Sequence, residues 1–397
     1  MKKFLFIISS ILFLQTKSFC QSWDAMADVP VGLTFPVVVE LNGEIHVIGG
    51  GAAAGATDIH LRYKPATNSW DTLAPVPYLA QQPSGAVVAG KIHYFGGGFP
   101  NSGTPLNKHY MYDPVSNTWD SAAFLSQPRV IMEAATLNGK IYAMSGQPDK
   151  TLMEEYDPTL DSWTTKNPLP DQNFWYSSIQ VVNGEMYRFG GGGYISPVDY
   201  VSKYNSSTDS WSNIATLPIP IHALAGAPHN HYAVLAGGYH SFSDIDSVWL
   251  YDVNTQIFYP GFSLPEARAY HDMVTIDSCV YSIGGDNTSF PSVKTQLLRY
   301  CPALNVSAPA IAIEKGVQVF YSAESVSIKI LSPLHNKNVA VELFDLTGRK
   351  VFSENKIPDL NNTIGLNTSQ LTQSFYILRL KVDEQFYSVK VPVENIY

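Results

Sequence analysis

Two arginines, Arg129 and Arg268, and a run of three aromatics, Phe174-Trp175-Tyr176, are the residues of this chain best suited to hold a ligand. They share a register. A Gly-Gly ends an apolar run at Gly49-Gly50, Gly96-Gly97, Gly190-Gly191, Gly237-Gly238 and Gly284-Gly285, with Ser145-Gly146 in the third slot. Seventeen residues before each second glycine stand Leu33, Ala80, Arg129, Phe174, Ile221 and Arg268. Sixteen before stand Thr34, Gln81, Val130, Trp175, His222 and Ala269, and fifteen before stand Phe35, Gln82, Ile131, Tyr176, Ala223 and Tyr270. These columns vary while the frame around them repeats, as expected where a repetitive scaffold carries a site. Arg129 and Arg268 lie three units apart, so a closed ring of six units would oppose them. Two opposed guanidiniums clamp a carboxylate or another anion. An exposed aromatic run stacks a sugar ring or an apolar ligand, whereas a buried one fills the wedge between units. Alternation turns at least one of the three rings inward. The ligand-binding set expected on this face is therefore Arg129, Arg268, Trp175, Tyr176, His222 and Tyr270.

Other chemistry finds less support. His46 and His93 occupy one repeated column that continues as Tyr142, Tyr187, Val234 and Tyr281, which marks a structural position. His222, His240 and His271 can approach the shared face, but no metal-ligand spacing such as HExxH or an EF-hand loop occurs. Neither a metal nor a cofactor is expected. No Gly-x-Ser-x-Gly accompanies the many serines, so Ser/His/Asp catalysis is not supported. Pairing Glu133 with His271 as acid and base has no basis in the sequence alone.

The elements that position these residues follow from the repeat of about 47 residues between second glycines. Each Gly-Gly is followed by a Tyr: Tyr63, Tyr112, Tyr156, Tyr204, Tyr251 and Tyr300. An aromatic comes seven residues later at Trp70, Trp119, Trp163, Trp211 and Phe258. Turns such as Asn42-Gly43, Asn138-Gly139 and Asn183-Gly184 separate apolar runs, a strong hairpin signal. Each unit thus holds four strands, and four-stranded units at this period are propeller blades. No aromatic follows Tyr300, but Trp23 lies 47 residues before Trp70. The N-terminal strand is therefore expected to supply the outermost strand of a sixth blade and close the ring without open sheet edges. Cys279 begins one strand and Cys301 ends its neighbour, an arrangement in which an antiparallel pair places the two thiols opposite one another.

The Gly-Gly, Tyr and Trp offsets resemble the kelch repeat over about residues 22–302. That resemblance implies a six-bladed β-propeller whose inter-blade loops ring a central channel. It also supplies a second reading of Arg129 and Arg268, because kelch repeats carry an Arg here to bond neighbouring blades. Arg268-Ala269-Tyr270 is similar to a segment of secreted bacterial kelch proteins that mutarotate sialic acid. Those proteins use an acid and an Arg in a loop whose counterpart here, Gly192 to Asp199, contains no Glu and no Arg. The cysteines, if paired, leave none for the Cys–Tyr cross-link of a copper-radical oxidase.

Past Pro302 the rhythm stops. Residues 303–315 read as a linker, and residues 316–397 alternate apolar and polar with turns such as Thr347-Gly348-Arg349-Lys350, the pattern of a small β-sandwich of immunoglobulin-like type. Val341 to Val351 (VELFDLTGRKV), Tyr376 to Leu380 (YILRL) and Lys390 resemble the type A C-terminal sorting domain of the type IX secretion system. That resemblance implies export, with the domain read by the secretion machinery. The N-terminus agrees. Lys2-Lys3 followed by Phe4 to Leu14 is a signal peptide over residues 1–20, ending at Ser18-Phe19-Cys20, with the propeller from 21 to 302.

Composition bounds the partners. Of 397 residues 45 % are hydrophobic and 15 % charged, and the net charge is −9. No Lys/Arg cluster suggests nucleic acid, and no stretch is long and apolar enough to span a membrane. The reading is an all-β protein, secreted or at the outer cell surface. Its propeller binds a carbohydrate or protein ligand. The alternatives are an isomerase of the sialic-acid mutarotase or epimerase kind, or a structural part of a surface complex.

Overall fold

In the computed structural model, residues 22–301 are described except 100, 101, 194 and 287–292. Strands between 317 and 392 are described without most of their connecting loops. The expected signal peptide at 1–20 and the expected linker at 303–315 lie outside the described residues.

Six four-stranded antiparallel sheets run from Asp24 to Tyr300. Their innermost strands are Val37–Leu41, Ser84–Val88, Glu133–Leu137, Ser178–Val182, Ala225–His229 and Ala269–Ile276. Each packs against the next, and the last against the first, so the six make a closed ring. Turns at Asn42-Gly43, Asn138-Gly139 and Asn183-Gly184 hold both residues at positive φ, the backbone that Asn-Gly adopts most readily.

The repeat has a mechanical purpose. In each of the first four blades the Tyr hydroxyl donates to an Asn or Asp: Tyr63 to Asn68 at 2.7 Å, Tyr112 to Asn117 at 2.8 Å, Tyr156 to Asp161 at 2.8 Å and Tyr204 to Asp209 at 2.6 Å. The same carboxamide or carboxylate accepts a backbone N–H from the segment of the preceding blade, as Asn68 does from Ala27 at 2.8 Å. Trp70, Trp119 and Trp163 donate their indole N–H to the carbonyls of Ala27, Ala74 and Ala123 at 2.8–2.9 Å. Each blade is thereby bolted to its predecessor. In the fifth blade Phe258 has no donor, and the Tyr251 hydroxyl is buried without a partner.

The gap in the sixth blade is filled from the other end of the chain. Asp24 and Ala25 pair with Arg299 and Leu298, outside the strands Leu297–Tyr300, Cys279–Asp286 and Ala269–Ile276. Trp23 stacks on Tyr300 at 5.2 Å, the place taken by Trp70 against Tyr63 in the first blade. Cys279 and Cys301 are disulfide-bonded with Cα atoms 4.0 Å apart, across the two inner neighbours of that added strand.

Two further antiparallel sheets follow. One orders Val317–Ser322, Ser325–Ile330 and Thr363–Asn367; the other orders Lys350–Lys356, Val339–Phe344, Phe375–Val382 and Gln385–Pro392. Val339, Val341, Leu343, Leu378 and Leu380 are buried at alternate positions, with Ile364 buried on the first sheet.

Candidate functional site: the channel mouth

The loops that follow each outer strand and the loops that follow each Gly-Gly converge on one face. Where they meet the channel, one residue per blade takes a positive φ: Phe35, Gln82, Ile131, Tyr176, Ala223 and Tyr270. This turn presses against the glycines. A Cβ on Gly50 would sit 2.8–2.9 Å from the Thr34 and Phe35 carbonyl oxygens, which is why the slot is glycine. The six side chains form the upper layer of a cavity of about 170 Å³. A dry cavity of about 150 Å³ takes a benzene ring, so this one has room for a single six-membered ring.

Three of the six are aromatic and touch. Phe35 and Tyr270 have centroids 4.6 Å apart, Tyr176 and Tyr270 5.5 Å, and Phe35 and Tyr176 5.9 Å. The Gln82 amide donates to the Tyr176 hydroxyl at 3.2 Å, tying the second blade to the fourth across the mouth. Trp175 stacks on Tyr176 at 5.3 Å, and Lys150 covers its other side at 4.6 Å. Phe174 is fully buried against Trp211, with the Arg188 guanidinium 4.0 Å from its centroid. The run thus divides, with Phe174 inside and Trp175 and Tyr176 at the rim.

His222 is buried beside this layer. The Tyr270 hydroxyl lies 3.4 Å from its Nε2, and Tyr239 packs on it at 5.1 Å. Burial holds the imidazole down to about 4, so it is neutral and accepts a hydrogen bond at neutral pH. His271 is buried between blades, its Cε1 next to Gly237, and His240 is tied to the Pro220 carbonyl. Among the described residues no three His, Cys, Asp or Glu gather as a metal set.

Arg129 and Arg268 do not reach the channel. Both are fully buried. Arg129 donates to Glu154 Oε2 at 2.5 Å and to the carbonyls of Ser145 and Leu152, all of its own blade. Arg268 donates to Gln296 and to the Gly284 carbonyl, again of its own blade. The expected clamp is corrected on this ground: opposed positions around a ring do not imply opposed side chains. Each arginine is turned into its own blade, where it meets carbonyls beside the Gly-Gly bend and a side-chain oxygen. In the fourth blade, where Phe174 fills that slot, Arg188 does the same work from the neighbouring strand. It donates to the Gly190 and Asn173 carbonyls at 3.0 and 2.6 Å and pairs with Asp171.

The charge in the channel belongs to two acids that the columns above miss. Thirteen residues before each second glycine stand Val37, Ser84, Glu133, Ser178, Ala225 and Asp272. Glu133 and Asp272 lie on blades three apart, hence on opposite walls one layer beneath the rings, and both line the cavity. Asp272 accepts the backbone N–H groups of Val38 at 3.2 Å and Met273 at 2.8 Å. Glu133 accepts that of Tyr176. Burial pushes Asp272 up to about 7. Burial, then repulsion from Asp272, pushes Glu133 well above the usual carboxylate range. No Lys or Arg lines the cavity, and neither acid has an ion-pair partner among the described residues. The signal was present: carrying the alignment two residues further finds the only acids in that column.

Comparison with known proteins agrees with this architecture. A kelch motif matches residues 176–218, and a secretion system C-terminal sorting domain matches residues 322–394. The chain carries a kelch motif within a six-bladed all-β propeller and, after it, a match to a C-terminal sorting domain. Kelch-like protein 23 of Homo sapiens is 26 % identical over 208 residues, 50 % of this chain and 36 % of that protein. Kelch-like protein 36 of Bos taurus is 25 % identical over 194 residues, 46 % of this chain and 31 % of that protein. The chain thus spans about a third of the length of these curated relatives. The solved structure of YjhT superposes with a TM-score of 0.59 at 15 % identity, over 69 % of this chain and 96 % of that one, which is a likeness of fold. The sorting domain directs the kelch propeller through the type IX secretion system, to the outside or the outer cell surface. No helix among the described residues is long and apolar enough to cross a membrane.

Proposed function

We propose that the exported kelch propeller is a carbohydrate-binding protein, with one sugar ring held at the channel mouth. The observation that carries this reading is the layering of the cavity. Phe35, Tyr176 and Tyr270 offer ring faces above, while Glu133, Asp272, Ser84 and Gln82 offer hydrogen-bonding groups around and below. A pyranose has the same two-sided character, with apolar C–H faces and a polar hydroxyl edge. Acidic sugars are disfavoured, because both candidate arginines are turned into their own blades and the cavity carries acids without bases.

Thermal unfolding of the full chain with neutral, amino and acidic sugars tests this. A ligand at a hundred times its dissociation constant stabilises the folded state by about 2.7 kcal/mol. A neutral or amino sugar is expected to raise the melting temperature and sialic acid to leave it unchanged, with the shift lost in Tyr176→Ala and Tyr270→Ala. No shift with any sugar overturns the reading.

A second reading, a sugar isomerase, is favoured by one observation. Two carboxyl groups, Asp272 raised by burial to about 7 and Glu133 raised above the usual carboxylate range, line opposite walls of the cavity, an arrangement suited to proton exchange at the ring oxygen and anomeric hydroxyl of a sugar. Anomer exchange followed by magnetic resonance, unchanged by adding the protein, rejects it.

A further inference from the structure

We propose that the channel mouth selects a ligand carrying a protonated amine, an amino sugar with a free ammonium group, over its neutral counterparts. The inference rests on the carbohydrate reading and narrows it.

The cavity contains two kinds of group that attract a cation and none that repels one. Its upper layer presents three aromatic rings, whose faces carry negative potential and draw ammonium groups. Its lower layer presents Glu133 and Asp272 from opposite walls. A carboxylate held away from water either keeps its proton or is matched by a cation, and an arriving ammonium allows Glu133 and Asp272 to release the protons they otherwise retain. Elsewhere in this chain the fully buried Glu154 is matched by Arg129, whereas Glu133 and Asp272, partly buried on the cavity wall, meet no such cation. Glu133 and Asp272 receive only backbone N–H groups. The guanidinium of Arg188, whose charge acts on Glu133, is spent on Asp171, two carbonyls and the Phe174 ring.

The neighbouring blades show that the acids are not needed to hold the ring. At the same level the first, second, fourth and fifth blades carry Val37, Ser84, Ser178 and Ala225, and their inner strands pack into the same ring. Two acids placed three blades apart, beneath aromatic rings and without a counter-ion, therefore mark a place for a cation from outside. An ammonium fits better than a metal ion, because the walls supply two carboxylates and apolar rings where a divalent cation needs six or more oxygens.

The test is calorimetric titration of the full chain at pH 7 with glucosamine, glucose and N-acetylglucosamine, and with calcium chloride alone. A hydrogen bond to a charged group is worth about 1.5–3 kcal/mol, so glucosamine is expected to bind at least about tenfold more tightly than the other two sugars. That preference is expected to vanish in Glu133→Gln and Asp272→Asn, the ratio of glucosamine to glucose affinity falling to about one in each. Equal affinity for the three sugars overturns the inference and leaves the carbohydrate reading standing. Binding of none of them overturns both. Calcium binding without glucosamine binding also overturns it. If Asp272→Asn does not fold, the wild-type ratio and Glu133→Gln still decide the matter.

Discussion

At the scale of single residues, the buried arginines and the buried acids make opposite predictions. Arg129→Ala leaves Glu154 buried without its partner, a change that costs about 3–5 kcal/mol. Chemical denaturation is expected to show that loss, and sugar binding by the surviving folded fraction is expected to be unaltered. Asp272→Asn should act the other way. The folded state holds Asp272 at about 7, above its unfolded value, so between about pH 4 and pH 7 the folded state keeps a proton the unfolded chain has lost. This group therefore withdraws stability as pH rises through that window. The asparagine variant is expected to gain stability at pH 8 relative to the native chain and to show no gain at pH 4, read as melting temperatures at the two pH values. The contrast also explains what the sequence reveals and hides at this scale. Column alignment places a residue on the ring, but the direction of its side chain depends on the partners its own blade offers. Arg129 turns toward Glu154 and the carbonyls of its blade, and Asp272, four residues past Arg268, lines the channel.

At the scale of blades, the repeat was readable because the first four copies share the same bolt. The Tyr, the Asx five residues on and the Trp recur since each joins one blade to the last. Tyr156→Phe removes one buried hydrogen bond to Asp161 and is expected to cost about 1 kcal/mol, whereas Tyr251→Phe, whose hydroxyl has no partner, should cost close to nothing. Equal losses in the two variants would contradict the bolt. The same frame carries two histidine pairs that the sequence shows only by half. His46 Nδ1 and His60 Nε2 are 2.8 Å apart, and His93 and His109 repeat the arrangement at 2.9 Å one blade later. The column analysis marks His46 and His93 as structural, but their partners lie on the next strand at a spacing that differs between blades. Burial lowers His46 to about 4, His60 to about 3, His93 to about 3 and His109 to about 4. In each case the unfolded chain takes up the proton first, so stability is lost as pH falls from about 6.5 toward 3. This slope opposes that of Asp272 over part of the range. Melting temperatures from pH 6.5 to pH 4 are expected to fall in the native chain and to fall less in His93→Gln.

At the scale of the whole molecule, six blades and their closure follow from one offset, Trp23 standing 47 residues before Trp70. The channel chemistry does not follow, because a propeller scaffold accepts many residues at its mouth with little cost to the ring. The Cys279–Cys301 bond encloses 22 residues of the closing blade, and a loop of that size stabilises by roughly 3 kcal/mol. Reduction is expected to lower the denaturation midpoint by that amount without opening the other five blades. The closing strand pair also sets a clock. Asp24 must wait for Arg299, 275 residues later, before the two can meet. Contacts so distant along the chain form late in folding. Until then the sixth blade lacks its outermost strand. A chain truncated at residue 265 is accordingly expected to stay sensitive to protease, whereas one ending at residue 302 resists it. Completion of the ring thus waits on a strand two residues long.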